Sequence, residues 1–424
     1  MPRADDSAGL PSLADAEWLR RPATRAVFAA LRAGGAEARA VGGAVRNALM
    51  GVPVKDVDIA TTASPEEVMR LAARAGLHSV PTGIEHGTVT VIADKVPFEV
   101  TTLRRDIETF GRHARVTFTT DWREDAMRRD FTINALYCDL DGTVHDPLGG
   151  LGDLEVQRVR FIGDARARIR EDFLRILRFF RFMAQYGDAD LPDPEGLAAV
   201  RAEKAGLAQL SGERIRAELF LLLAAPGAVP ALRLMRDAGF IAPLIGVDGN
   251  VETVARLAAI ERHLSRSPDP VLRLAALSAG TQENLRERLK LSGLEAEGLA
   301  TALRGAPALD PRRDELAAKE YIYRNGAAAF TGGALVDWAR SNADVDDAAR
   351  TERASLAERW SAPKLPVRGA DVIALGVPAG PGVGRVMEAF EMWWIAADFP
   401  TEPKRIAAQL AELARGERRA RRDA

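Results

Sequence analysis

The hydrophobic pattern changes period close to residue 155, and this change dictates a chain built in two styles. Residues 39 to 160 carry short β-rich runs broken by turn residues. Residues 161 to 345 carry successive Ala-, Leu- and Arg-rich stretches with the spacing of amphipathic helices. An α+β chain is predicted, with a mixed α/β head followed by an all-helical remainder. At roughly 150 residues per domain, 424 residues allow two to four domains.

Within the head, the local signals are specific. Gly42-Gly43 opens a short helix through Met50 that stops at Gly51, and Lys55 to Ala60 alternates acid and apolar residues like a half-buried strand. Ser64-Pro65-Glu66-Glu67 combines an N-cap, an N1 proline and a capping-box glutamate, so a helix starts there and ends near Gly76. Thr88 to Ala93 and Val96 to Thr102 flank Asp94-Lys95 as a hairpin, with Pro97 marking an edge or a bulge. Asp141-Gly142 signals a second hairpin. Leu103 to Arg115 reads as a polar loop, and the Gly/Pro-rich stretch from Gly369 to Gly384 as an ordered loop opening a C-terminal subdomain.

Asp56 and Asp58 are two apart on a predicted strand, so both carboxylates leave one face while Val57 and Ile59 enter the core. Their Cα atoms are expected about 6.6 Å apart, near enough to share cations, and oxygen-only ligands favour Mg²⁺ or Mn²⁺ over zinc. Gly42 and Gly43 place bare backbone N–H groups ahead of a helix, with Arg46 one turn in, which suits a phosphate. A plain tight turn explains the same glycines. Glu99 is a third carboxylate on a strand, sharing its face with Thr101. A phosphate cradle and two or three carboxylates within 60 residues point to metal-assisted phosphoryl transfer.

Charge and composition narrow the classes. The balance of 58 Lys and Arg against 60 Asp and Glu gives no general attraction to polyanions. It conceals a basic stretch from Arg158 to Tyr186, with eight Arg against three acids. The last 22 residues carry seven basic and three acidic side chains, a solvated helix end or an RNA-facing tail. The single cysteine, Cys138, excludes disulfides and Cys-based zinc or iron–sulfur sites, which fits a reducing cytoplasm. Five scattered His residues lack zinc-hydrolase spacing, and no stretch approaches the roughly 20 apolar residues of a membrane span.

The segments Gly42 to Gly51 and Asp56-Val57-Asp58 resemble the signature of the class II tRNA nucleotidyltransferases, the bacterial CCA-adding enzymes, and the related bacterial poly(A) polymerases. Glu99 to Arg104, Arg128 to Leu136 and Glu171 to Phe182 are similar to three further blocks of that family, in order. Gly212 to Leu219 is a weaker fifth. The resemblance implies a polymerase-beta-like catalytic head (1–155), a helical neck (156–230), a helical body (231–345) and an RNA-binding tail (346–424). It implies that Asp56 and Asp58 hold two Mg²⁺ ions, that Glu99 assists, and that Gly42, Gly43, Arg46 and Arg129 meet the nucleotide's triphosphate or ribose. The partners implied are tRNA, CTP and ATP, with no membrane and no protein partner. Asn47 departs from the family, which usually has Asp there, so a neutral hydrogen bond is expected in place of a salt link. A loop at 103–115 is implied to control the change from C to A addition.

Asp172 and Arg175 are i and i+3, hence on one helical face, and Arg178 continues the row. An acceptor beside a donor matches the amino group and ring nitrogen that cytosine and adenine share, whereas uracil and guanine present the reverse pattern. A helix-surface salt bridge is the alternative for the same pair. The resemblance extends nucleotide contact to Arg178 and Arg181. The reading of the whole chain is addition of CCA to tRNA 3′ ends from CTP and ATP, releasing pyrophosphate. An A-adding or poly(A)-adding specialist and a catalytically dead RNA-binding relative are the competing readings.

Overall fold

The computed structural model describes residues 9–110, 113–278 and 284–421. The chain divides into two compact units, one running to Gly249 with Glu287–Lys290 added, the other comprising the rest.

The first unit is built on a seven-stranded sheet. Its strands are β1 (Ala38–Val41), β2 (Asp58–Thr61), β3 (His78–Gly83), β4 (Thr88–Ala93), β5 (Val96–Thr102), β8 (Tyr137–Cys138) and β9 (Val144–His145). They are ordered β3-β4-β5-β2-β1-β8-β9. Only the β2–β5 pair is parallel. The β4–β5 hairpin turns on Asp94 and Lys95, both at positive φ (48° and 65°), as the tight primed turns require. Pro97 lies opposite Ile92, beyond the stretch of β5 that pairs with β2, so its missing N–H interrupts no ladder.

Register sorts the side chains. Val41 pairs with Asp58 and with Tyr137, and Ile59 pairs with Val100. Val41, Asp58, Ala60, Glu99 and Tyr137 therefore share one face, and Ala40, Ile59 and Val100 share the other. The first face carries a core cluster that includes Val41, Ala60, Leu103, Trp122, Tyr137 and Ile162. The helices Pro22–Arg32 and Pro65–Arg74 pack on each other and on the sheet through buried Val27, Phe28, Leu31, Val68 and Leu71. Ser64 caps the second helix reciprocally with Glu67, at 3.3 and 3.1 Å, as its sequence predicts.

The polar-loop reading of 103–115 is corrected. Arg104–Phe110 (β6) and His113–Phe118 (β7) form a separate two-stranded ribbon, while Gly111 and Arg112 lie outside the described residues. Charged residues dominate the stretch, yet Ile107, Thr109, Val116 and Phe118 are strand formers whose spacing the charges obscured.

Beyond His145 the unit is helical. Phe131 and Phe161, 4.8 Å apart, pack on Phe179 and Phe182 of the helix Leu174–Tyr186, at centroid distances of 4.9 to 6.5 Å. The strand-bearing and helical parts of the unit thus share one aromatic core.

The second unit is helical throughout its described residues. Trp338 and Phe330 are fully buried there, and Val372, Phe390, Trp394 and Leu410 form a C-terminal core. The ordered-loop reading of 369–384 is also corrected. Gly369–Ala374 is helical and Pro381 starts the next helix, Pro381–Ala396. Asp371 accepts the Arg368 N–H at 2.7 Å, and Val372 and Val377 are buried, so apolar anchoring overrides the glycines. No helix among the described residues is long and apolar enough to cross a membrane.

Candidate active site

β1 ends in the glycine turn. Gly42 has φ +66° and ψ −116°, a conformation open in practice only to glycine, and its N–H donates to the Leu136 carbonyl at 3.0 Å. A Cβ on Gly42 would stand 3.6 Å from Nη1 of Arg129, and one on Gly43 would stand 3.7 Å from Nη2 of Arg46. The turn therefore lies between two guanidinium groups.

Beside it on β2 is the acidic edge. Strand structure begins at Asp58, with Asp56 in the approach, and burial alternates as the sequence predicts: Val57 and Ile59 are buried while both aspartates are exposed. Glu99, next to Val100 on the parallel neighbour, falls alongside Asp58 and is also exposed. Although solvent reaches its side chain, the Asp58 carboxyl is pushed above its ordinary range by desolvation from the atoms packed around it and by the negative charges of Glu99 and Asp56, with Arg129 opposing. This crowding of like charge is what a bound cation relieves. Among the described residues no group of three His, Cys, Asp or Glu is close enough to hold a metal. The donor set is thus two carboxylates, which fits Mg²⁺, an ion that completes its shell with water and substrate phosphates.

Arg129 is set by two residues that sequence reading did not single out. Its Nη2 donates to Asp125 at 3.1 Å, and Asp125 also accepts from Arg128 Nε and the Tyr137 hydroxyl, each at 2.8 Å. Burial disfavours the Asp125 carboxylate, but these partners prevail and hold it down, to about 2. Its acid-apolar surroundings in a short helix gave no periodic signal.

Arg46 is buried (5% exposed). Its Nη1 donates to Asn134, and its Nη2 donates to Asn47 at 2.9 Å and to the Tyr186 hydroxyl at 2.7 Å. The neutral bond expected at Asn47 is present. Asn134 in turn donates to Asp130 at 2.8 Å, and Asp130 takes Nε and Nη2 of Arg178 at 2.8 and 2.6 Å. Arg178 and Arg181 both reach Glu218, at 3.6 and 2.5 Å.

The single-helix placement of Asp172 and Arg175 is corrected. The helix Ala165–Glu171 ends before Asp172, whose backbone is extended (φ −154°, ψ 107°), and the next helix starts at Leu174. Asp172 does not pair with Arg175. Its Oδ2 accepts from Arg214 at 2.6 Å and its Oδ1 caps the Leu174 N–H at 3.1 Å. Nη1 of Arg175 donates to the Arg168 carbonyl at 2.6 Å and to Glu171. The break escapes helical periodicity because an Asp that caps one helix looks like a residue within it. Arg168 reaches back to the carbonyls of Arg128 and Arg129, tying the break to the Arg129 segment.

Comparison with known proteins places the chain in a family. The Poly A polymerase head domain family matches residues 38–160. A second family, described as the probable RNA and SrmB- binding site of polymerase A, matches 192–245. The mitochondrial CCA tRNA nucleotidyltransferase 1 of Danio rerio is 38% identical over 392 residues, covering 89% of this chain and 87% of that protein. The CCA-adding enzyme of Geobacillus stearothermophilus is 35% identical over 401 residues, covering 90% and 94%. Among solved structures, the Bacillus stearothermophilus CCA-adding enzyme in complex with CTP superposes with a TM-score of 0.74 at 30% identity, covering 94% of this chain and all of that one. Matched over nine-tenths of its length by relatives more than 30% identical, this chain belongs to the class II tRNA nucleotidyltransferase and poly(A) polymerase family.

Proposed function

We propose that this protein adds CCA to the 3′ end of tRNA from CTP and ATP, releasing pyrophosphate. The observation that carries the reading is the register Val41–Asp58, which sets the carboxylate edge beside the glycine turn on adjacent strands. Membership of a family whose relatives over most of the chain are CCA-adding enzymes supports it.

Enzymes of this family are generally dependent on divalent metal, and Asp56 and Asp58 are the residues that would hold Mg²⁺, or Mn²⁺ in its place. When bound, the ions would activate the RNA 3′ hydroxyl and neutralise the triphosphate. Glu99 acts on this edge through charge. The N–H groups of the glycine turn and the Arg129 guanidinium orient the triphosphate, and the short turn leaves room for phosphate where any side chain would intrude. Arg46 supports the turn from beneath.

Base choice falls to the neck break. Asp172 offers acceptor sites, and Arg175 offers donors: among the described residues its contacts use Nη1, which leaves Nε and Nη2. Uracil or guanine would leave these groups unpaired, at about 1–3 kcal/mol each. Arg178 and Arg181 set the arginine face of the same helix, and the later helices hold tRNA. A cytoplasmic site of action fits a chain whose single cysteine, Cys138, is a free thiol.

The test is incorporation into tRNA lacking its 3′ end, with CTP alone, ATP alone and both. Addition of C, C and A with both nucleotides, abolished in Asp56→Ala and Asp58→Ala, is the expected result. Failure with CTP alone would identify an A-adding or poly(A)-adding specialist.

A further inference from the structure

We infer that the second unit carries a docking groove for a basic, amphipathic helical segment of a partner protein, formed by the helices Pro270–Leu277, Gly293–Arg304 and Ala327–Arg340. The groove lies wholly within that unit and includes no residue of the carboxylate edge, the glycine turn or the neck break.

The three helices pack on one another, yet they line a cavity of about 760 Å³. Leu294, Gly298 and Thr301 line it from one helix, and Ala328, Gly332 and Leu335 from another. Each set is spaced i, i+4 and i+7, so each wall is a single helical stripe about 10 Å long. Val271 and Leu272 add apolar surface from the third helix. An amphipathic helix enters such a groove through side chains at the same spacing. Two residues have no account in the packing of the unit itself. Leu294 is 84% exposed, the most exposed large apolar side chain among the described residues, and lies outside the buried set of its own helix, Leu299, Ala302 and Leu303. Gly298 sits inside the same helix, where glycine costs stability relative to alanine. Packing does not demand it, because a Cβ there would stand 3.4 Å from Cγ1 of Val271, a contact rather than a clash. The lack of a side chain at Gly298 keeps the groove open.

Charge selects the occupant. Four carboxylates line the groove, Glu261, Asp269, Glu297 and Glu358, against one cation, Arg266, which is bound to Glu358. Arg273 holds the buried Glu261 at 2.7 Å, and Asp269 caps the helix Pro270–Leu277 through the Val271 N–H at 2.8 Å. Four carboxylates against two arginines leave an excess of two negative charges. Glu297 is exposed on the same helix wall as Leu294. An RNA phosphate or an anionic lipid surface is repelled by this excess, whereas Lys or Arg beside an apolar anchor meets carboxylates beside apolar walls. A small polyamine would answer the carboxylates but cover little of Leu294, so the exposed apolar surface favours a peptide with apolar side chains of its own.

The experiment measures the fluorescence anisotropy of a labelled Leu/Lys peptide of about 14 residues, its leucines at i, i+3, i+4 and i+7 spacing, titrated with the full chain. A scrambled peptide of the same composition and a twin with Glu for Lys run beside it. The patterned peptide is expected to bind about tenfold more tightly than the scrambled one, and the Glu twin not at all. Leu294→Ser and Glu297→Lys should each weaken binding about tenfold. Gly298→Leu fills the groove while raising helix propensity, and should abolish binding with the unfolding temperature no lower than wild type. If Gly298→Leu melts lower, Leu294→Ser, a change on an exposed side chain, decides. No binding, equal binding of patterned and scrambled peptides, or binding that Leu294→Ser and Gly298→Leu leave intact would overturn the inference. Displacement of the peptide by an equal concentration of spermidine would also overturn it, giving the groove to a small polycation.

Discussion

The guanidinium of Arg46 lies 3.8 Å from the ring centre of Tyr186 and donates to the same residue's hydroxyl at 2.7 Å, across 140 residues of chain. Arg46 follows the glycine turn and Tyr186 ends the helix Leu174–Tyr186, so one contact joins the glycine-turn helix to the helix that carries Arg175, Arg178 and Arg181. Phe182 lies between, 5.4 Å from Tyr186 and 5.2 Å from the Arg178 guanidinium.

Replacing Arg46 strands one buried and two half-buried acceptors at once. Arg46→Ala is expected to lower stability by about 3 kcal/mol, from unpaired Asn134, Asn47 and Tyr186 groups, and Arg46→Lys to recover little because the planar fork is lost. Tyr186→Phe keeps the stack and loses one hydrogen bond, at about 1.5 kcal/mol. Urea unfolding of the three variants orders them, and an Arg46→Ala protein as stable as wild type would contradict the buried role.

Acid should weaken the contact between Asp130 and the helix Leu174–Tyr186. Burial disfavours the Asp130 carboxylate, but Arg178 and Asn134 prevail and hold it down to about 2, as their counterparts do for Asp125. A carboxyl lowered in the folded state stabilises above its unfolded value near 4, and that stability drains away as pH falls toward 2. Each group contributes about 2 kcal/mol. Unfolding free energy measured from pH 6 to pH 2.5 should decline, and Asp130→Asn should be less stable at pH 6 with a shallower decline.

Much of the site was legible because it obeys local rules. The Asp-x-Asp alternation, the Ser64 cap and the Asp94-Lys95 turn each depend on a few adjacent residues, and each is where the sequence places it. Partners far apart in sequence were not legible. Arg214 and Asp172 are 42 residues apart, and Trp122 and Glu37, joined by a 2.8 Å hydrogen bond, are 85 apart. Asp172 misled because helical spacing continues through a capped break, and β6 and β7 because a ribbon rich in charge lacks the apolar alternation of a core strand.

Gly206 bears on the neck break through Phe173, the residue beside Asp172. Gly206→Ala forces its Cβ into the Phe173 ring, and overpacking of this kind costs about 1–3 kcal/mol. The displaced Phe173 should carry Asp172 with it, so the preference for CTP over UTP should fall along with the unfolding temperature. A variant that loses stability while keeping full nucleotide preference would show that Phe173 and Asp172 move separately.

The acidic edge should trade stability for function. Asp58 is crowded by Glu99 and Asp56, so Asp58→Asn relieves repulsion and is expected to melt at the same temperature as wild type or slightly higher in a chelating buffer, by at most about 1 kcal/mol. Adding Mg²⁺ should raise the wild-type melting temperature, since an ion bound only to the folded state stabilises it, and should leave Asp58→Asn nearly unmoved. Incorporation by the variant should fall by about a thousandfold or more, the scale set by losing a preorganised charge stabiliser at the reacting group. A Mg²⁺ shift of the same size in both proteins would place the ion elsewhere.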